Sequence, residues 1–350
     1  MTDTLLDIQD LQVHFHTEIG TVEALDGISM DIGHNEVLGV IGESGCGKSV
    51  TALSIMGLLQ SPPAEIVAGK IEYDGQNLLN LPRKEMDHIR GNDLSMIYQD
   101  PMTSLNPVLT IGHQLMEPLL AHTDCSKVEG RSRAVEMLDA CGLADPDRLM
   151  NQYPNELSGG MRQRVVIAMA LVTEPKLLIA DEPTTALDVT IQAQIMELLQ
   201  DLQDRFDMSV LFISHDLGVV SDIADRVAVM YAGTVAESCS INQLFENPLH
   251  PYSRALAESI PTLEKDADRL PTIDGIVPDL HDPPTGCRFA SRCPQYIGDV
   301  CNKYDPKLTS CGVDHDVACH LYTETSKATP PWQTPAPTVS DDIDKSPDDA

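Results

Sequence analysis

Hydrophobic and polar positions alternate along the start of the chain. Asp7–His16 carries Leu, Val, Ile and Phe in partial alternation, and Ala24–Ile32 (ALDGISMDI) alternates again. Both read as strands with one buried face. Val37–Ile41 (VLGVI) is apolar throughout, the pattern of a strand covered on both faces. Leu177–Ala180 and Val210–Ile213 are two further short apolar runs that end at polar residues. A helical period over 126–142 predicts an amphipathic helix. Residues 161–173 are apolar nearly all round, so that helix is expected inside the domain, with Pro175 as its stop. Strands separated by helices predict an α/β domain with a mainly parallel sheet. After about residue 246 the pattern breaks, and Pro248, Pro251, Pro261, Pro271, Pro278, Pro283 and Pro284 punctuate an irregular stretch. From Thr323 the chain is rich in Pro, Ser, Thr and Asp, and disorder is expected there.

Composition narrows the class. The 350 residues hold 54 Asp plus Glu against 23 Lys plus Arg, a formal net charge of −31. A basic nucleic-acid-binding surface does not fit that balance. No run reaches the ~18 apolar residues of a membrane-spanning helix. The start, MTDTLLDIQD, lacks the positive region and apolar core of a secretory signal, so no leader is expected. A hydrophobic content of 42% is enough to build a core. The charge reads first as a solvated surface and second as a face for cations or a basic partner. With 10 Lys beside 35 Asp, the balance resembles proteins of salt-accumulating microbes, where carboxylates keep the surface hydrated and salt screens their repulsion.

The first motif with chemistry follows the buried run 37–41. Gly42-Glu43-Ser44-Gly45-Cys46-Gly47-Lys48-Ser49 fits G-x-x-x-x-G-K-[ST]. Glycines let the backbone wrap so that successive N–H groups point at phosphate oxygens, and the following helix turns its positive end to the same anion. Lys48 would reach the β- and γ-phosphates, and Ser49 would ligate Mg²⁺. Asp181 ends the run LLIA, where it could hold Mg²⁺ through water, and Glu182 beside it could polarise an attacking water. Leu157-Ser158-Gly159-Gly160-Met161-Arg162-Gln163 lies just upstream, with Ser158 placed 23 residues before Asp181. Ser158 is a natural helix cap, and the glycines and helix start offer a second anion site. Two distant phosphate sites in one chain imply two subunits head to tail, each capping the other's nucleotide.

With these motifs in order, the sequence resembles the ATP-binding subunits of ABC transporters over about residues 5–322. LSGGMRQR is similar to that family's signature. The resemblance makes Gln99 the Q-loop glutamine, a Mg²⁺ neighbour with Ser49 and Asp181. It makes Thr185-Ala186-Leu187-Asp188 the D-loop, His215 the switch histidine, and Phe15 the aromatic that stacks on adenine. The implied catalytic set is Glu182, His215, Lys48 and Gln99. The implied nucleotide contacts are Phe15, Gly42, Glu43, Ser44, Gly45, Cys46, Gly47, Lys48, Ser49, Gln99, Ser158, Gly159, Gly160, Asp181, Glu182, Asp188 and His215. The implied fold is an ABC-type P-loop nucleotide-binding domain over 1–255, with a mainly parallel sheet core, an antiparallel subdomain and a helical subdomain. A small irregular C-terminal extension over 256–322 and an acidic tail over 323–350 follow.

Two stretches resemble the oligopeptide and dipeptide importers: Gln99-Asp100-Pro101-Met102-Thr103-Ser104-Leu105-Asn106-Pro107 and Asn247-Pro248-Leu249-His250-Pro251-Tyr252. Five of the nine cysteines crowd the segment after them: Cys287, Cys293, Cys301, Cys311 and Cys319. Absence of a secretion signal argues against a disulfide framework. Four thiolates can hold one zinc or an iron–sulfur cluster, and the lack of any C-x2-C pair weakens the zinc-ribbon reading. Resembling importers carry a [4Fe–4S] cluster in this segment, which points to Cys287, Cys293, Cys301 and Cys319 as ligands in a structural role. Zinc and free thiols remain the alternatives.

The resemblance therefore implies an ATPase that uses ATP and Mg²⁺ at the cytoplasmic face of the membrane and powers peptide import. Its implied partners are a second ABC ATPase subunit, a paralogue in preference to itself, two membrane permease subunits, and through them an extracellular peptide-binding protein. The alternatives are the same machine importing nickel chelates or other small solutes, and a soluble ABC ATPase acting on nucleic acid or ribosomes. No nucleic acid partner is expected from the charge.

Overall fold

A computed structural model describes residues 4–99, 104–185, 188–259 and 273–322. The expected disorder beyond Thr323 lies outside these residues, as do Ala186 and Leu187 of the D-loop motif. Two sheets carry the chain. Strands β1 (Thr4–Thr17), β2 (Gly20–Gly33), β4 (Ala64–Tyr73) and β5 (Gln76–Asn77) form an antiparallel sheet in the order β2-β1-β4-β5. The other sheet uses β3 (Val37–Ile41), β6 (Leu94–Ile97), β7 (Leu177–Asp181), β8 (Ser209–Ser214), β9 (Arg226–Tyr231), β10 (Thr234–Ser240), β11 (Thr309–Gly312) and β12 (His315–Val317). Its order is β11-β12-β10-β9-β3-β8-β7-β6, parallel from β6 to β9 and antiparallel beyond.

Burial explains the apolar runs. β3, β7 and β8 are buried at every residue, because layers cover both faces of the parallel sheet. One core cluster lies between this sheet and the antiparallel one, around Leu6, Leu11, Ile28, Val40 and Ile213. The other lies under the helices, around Ile111, Leu138, Ile167, Phe212 and Val229. The amphipathic helix is Lys127–Ala140, with Ser126 outside it as N-cap in a capping box with Glu129. The interior helix is Gly159–Leu171, starting two residues before the apolar run because Ser158 caps it. It ends ahead of Pro175, where Glu174 turns left-handed at φ 57°. β1 and β2 run beyond their alternating cores, since hairpin pairing continues through Thr17 and Gly20.

Register gathers the motif residues. Ile41 pairs with Ser214, Ile213 with Asp181, and Ala180 with Ile97. Four adjacent parallel strands therefore end together, and the residues just past those ends are Gly42, His215, Glu182 and Gln99. The stretch expected to be irregular adds two short strands to the far side of the same sheet, where Glu237 pairs with Val317. Strands of four and three residues are too short for alternation to reveal.

Candidate active site

The phosphate loop closes because glycine stands where a side chain would not fit. Gly42 has φ 154°, and a Cβ there would collide with the Met230 carbonyl and Cys46 Sγ. Gly47 has φ 105°, and a Cβ would lie 2.9 Å from the Ala24 carbonyl. Gly47 then becomes the N-cap of the helix Lys48–Ile55. Lys48 is 6% exposed and donates to the carbonyls of Gly42 at 2.7 Å and Glu43 at 3.3 Å. The Cys46 thiol is buried, which raises its pKa, so its place in the loop is a packing one.

The carboxylates beside the loop differ in environment. Asp181 is 4% exposed, and burial raises its pKa. It hydrogen-bonds Ser49, while its Oδ1 is buried without a partner. An orphaned carboxylate oxygen costs about 1–3 kcal/mol or more. A hydroxyl and such an oxygen side by side suit a hard divalent cation. Ser49 and Asp181 therefore fit Mg²⁺. Glu182 has a left-handed backbone, φ 48°, at a cost of about 1–2 kcal/mol. Its amide is held by the Ile213 carbonyl at 2.9 Å. Three partners converge on its Oε2: the Thr185 hydroxyl at 2.9 Å, Gln99 Nε2 at 3.1 Å and His215 Nδ1 at 3.2 Å. Burial alone would raise its pKa, but the bonds from Thr185 and His215, with Lys48 nearby, outweigh burial and hold it below the usual carboxylate range. Glu182 is thus an ionised carboxylate at neutral pH.

Other predicted residues fall into separate places. Ser158 accepts from the Met161 amide at 3.3 Å as N-cap of Gly159–Leu171. Gly159 faces open space, and a Cβ on Gly160 would lie 3.3 Å from Ile191. Asp188 caps Val189–Phe206 by accepting from the Ile191 amide at 3.0 Å. Phe15 sits half-buried on β1 against the core between the sheets. Glu43 is not turned to the loop's interior. Its amide donates to the Tyr252 hydroxyl at 3.1 Å, and its carboxylate pairs with Arg292. Sequence reading missed Thr185 as a partner of Glu182. Its spacing of three from Glu182, one turn, was the available signal.

In the extension, Cys301 and Cys319 are buried, Cys287 and Cys293 half-buried, and all are free thiols. The Cys287 amide donates to the Cys301 carbonyl at 2.8 Å. Burial pushes the Cys319 thiol up to about 12, and Cys287, Cys293 and Cys301 all add to that rise. Cys287 is raised to about 11 by burial, with Cys301 and Cys293 among its neighbours. The four thiols are thus electrostatic neighbours. Cys311 packs against the small core of Leu249, Val317 and Cys319, and its thiol is raised by burial and then by Asp316 and Glu237. Among the described residues, the group with three ligand atoms within 4.8 Å of one another is Glu237, Cys239 and His315. That carboxylate already accepts from His315 at 2.7 Å and from the Leu249 and His250 amides at 2.8 Å each, so it ties elements together without an ion.

A phosphate loop, an orphaned carboxylate and an ionised glutamate on one edge of a parallel sheet define a P-loop nucleoside triphosphatase. Known proteins narrow this class. Residues 25–185 match the ABC transporter family, and residues 236–301 match the C-terminal region of oligopeptide/dipeptide transporters. A probable peptide ABC transporter ATP-binding protein of Sinorhizobium fredii is 52% identical over 91% of this chain and 95% of its own. The dipeptide transport ATP-binding protein DppD of Bacillus subtilis is 51% identical over 91% of this chain and 95% of its own. The dimeric ATP-binding cassette MJ0796 with ADP and phosphate superposes with a TM-score of 0.61 at 28% identity, covering 67% of this chain and 98% of that one. The chain belongs to the ATP-binding proteins of ABC transporters, which hydrolyse ATP to power transport. Among the described residues no helix is long and apolar enough to cross a membrane.

Proposed function

We propose that this chain is the ATP-hydrolysing subunit of a di- or oligopeptide importer, held at the cytoplasmic face of the membrane. The observation that carries the peptide assignment is the match of its C-terminal region to that of oligopeptide/dipeptide transporters, together with relatives named for peptide transport. The site supports the chemistry. Lys48 and the loop amides hold the phosphates, and Glu182 takes a proton from the attacking water. Gln99, Thr185 and His215 orient that base through one oxygen. Mg²⁺, when bound by Ser49 and Asp181, would neutralise charge on the β- and γ-oxygens. Glu182→Gln should lower ATP turnover about 10²- to 10⁴-fold with nucleotide binding kept. Turnover at the wild-type rate would remove Glu182 as the base. ATP-dependent uptake of a labelled dipeptide by vesicles carrying the whole transporter tests the cargo.

Partner contacts follow the same logic. The exposed Ser158-Gly159-Gly160 helix start suits the γ-phosphate of a nucleotide bound by a second ATPase subunit, a paralogue or a copy. A groove of about 620 Å³ beside Gln99, lined by Met56, Leu58, Arg90, Tyr98, Ser104 and Met169, suits a helix of one of two permease subunits. An extracellular peptide-binding protein would act through the permeases.

Cys287, Cys293, Cys301 and Cys319 fit a [4Fe–4S] cluster. A tetrahedral zinc, with Zn–S near 2.3 Å, needs thiolates about 3.8 Å apart. These four are neighbours without forming so tight a group. Four gathered thiolates would repel one another, and a bound positive group offsets both that repulsion and burial. The net charge of −31 supports a protein adapted to high salt. Activity that persists at molar salt and fades on dilution would agree; best activity in dilute buffer would not.

A further inference from the structure

Glu43 stands at a position where the phosphate-loop motif accepts any residue, yet its polar groups are tied. Arg292 forms a bidentate pair with it, Nη1 to Oε2 at 2.9 Å and Nη2 to Oε1 at 3.0 Å. The Arg292 side chain is 5% exposed and Glu43 28%. Arg292 also donates to the Tyr231 hydroxyl at 3.2 Å and to the carbonyls of Ile273 at 3.1 Å and Asp274 at 3.0 Å. That uses all five N–H donors of a guanidinium. The ring of Tyr231 lies 5.7 Å from its centre. A side chain so fully committed has one orientation.

A second arginine works on the loop's other end. Arg288 is 5% exposed, pairs with Asp26 at 2.6 Å and donates to the Ala232 carbonyl. The next residue, Gly233, donates its amide to the Cys46 carbonyl at 3.0 Å. Arg288 follows Cys287 and Arg292 precedes Cys293. Between them Phe289, 2% exposed, packs its ring 5.2 Å from Tyr231 and 5.5 Å from Tyr252. Tyr252 carries the hydroxyl that receives the Glu43 amide. One short segment therefore grips the phosphate loop at Glu43 and behind Cys46.

We propose that Arg292 is a positioning residue for the phosphate loop, and that through it the cysteine-bearing extension sets the geometry in which nucleotide is bound. The physical reason is the bidentate fork, which fixes both distance and angle, and the low exposure, which keeps water from competing. A lysine would supply a single point of contact in place of the fork.

The proposal rests on the reading of the chain as a nucleotide-binding subunit. Full-length wild type, Arg292→Ala, Arg292→Lys, Glu43→Gln and Arg292→Ala/Glu43→Gln are titrated with Mg–ADP by calorimetry, and KM and kcat for ATP are measured. Failure of the wild type to bind Mg–ADP would sink that reading itself. The expected result is affinity for Mg–ADP lower by about 10- to 100-fold in Arg292→Ala, with KM rising more than kcat falls. Arg292→Lys falls between, and the double variant is no weaker than Arg292→Ala because the two losses are one interaction. Wild-type affinity in Arg292→Ala and Glu43→Gln, or losses that multiply in the double, would overturn the proposal. If Arg292→Ala does not fold, Arg292→Lys and Glu43→Gln carry the same comparison, with thermal melts confirming that they remain folded.

Discussion

The loop Gly42–Ser49 hangs between β3, buried at every residue, and a helix whose Thr51, Ala52, Ser54 and Ile55 are buried. The segment Gly286–Cys293 has no such frame. It holds a three-residue 3-10 turn, and side chains anchor it: Arg288, Phe289 and Arg292 onto the cassette. The first region draws its shape from backbone and sheet register. The second draws it from long side chains that reach across to the cassette. Regular elements position the site where precision comes from the sheet, and a segment without regular structure is placed by fully committed buried side chains.

Breaking the backbone side of this contrast should have the largest effect. Gly47→Ala forces a side chain into φ 105° against Leu25 and the Ala24 carbonyl. The strained backbone alone costs about 1–3 kcal/mol. Denaturant unfolding should register that loss, and Mg–ATP binding should disappear; unchanged binding would mean that the loop tolerates another path.

The thiol side yields a more selective test. In an anaerobic preparation of the whole chain, Cys319→Ser should lower iron content and the broad absorbance of thiolate-ligated iron. Cys311→Ser should change neither, since its thiol, though packed against the small core that holds Cys319, is raised by burial, Asp316 and Glu237 and not by the other thiols. Equal iron in both variants would show that the assigned four are not the ligands.

A smaller effect concerns the junction of the regions. His250 is buried, which lowers its pKa to about 4, and its Nδ1 accepts from the Tyr252 amide at 3.0 Å. The unfolded chain binds a proton on this residue below about 6.5, and the folded chain does not until about 4. Stability from this residue is complete above that unfolded value and is lost as pH falls through the interval. The loss amounts to up to about 3 kcal/mol. His250→Asn keeps a capping acceptor and removes the titration. Melting temperatures between pH 6.5 and 4 should then fall less steeply than in wild type; parallel slopes would assign the acid loss to other groups.

Most of the catalytic edge was readable in one dimension. The buried run 37–41, the glycines after it, the Asp181–Glu182 pair and the polar end of 210–213 are local signals. Short parallel strands leave no freedom over which end carries the loops. Cap residues at Ser158 and Asp188 were also local, because a cap is a hydrogen bond spanning three residues. The grip of Arg292 on Glu43 was not readable, since 249 residues separate them. Nor was the role of His250 and Tyr252 at the loop, or the joining of β12 to β10. A faint signal existed: two arginines inside one cysteine pair, in a chain with only 23 basic residues.

The residues alone determined the phosphate loop, the two carboxylates and the parallel sheet that bears them, because each rests on backbone geometry within a few residues. Only the tertiary structure decided which cysteines keep company, which oxygen of Glu182 is held, and that the C-terminal extension grips the phosphate loop. Those outcomes depend on side chains brought together by the completed sheet, and chain distance carries no record of that.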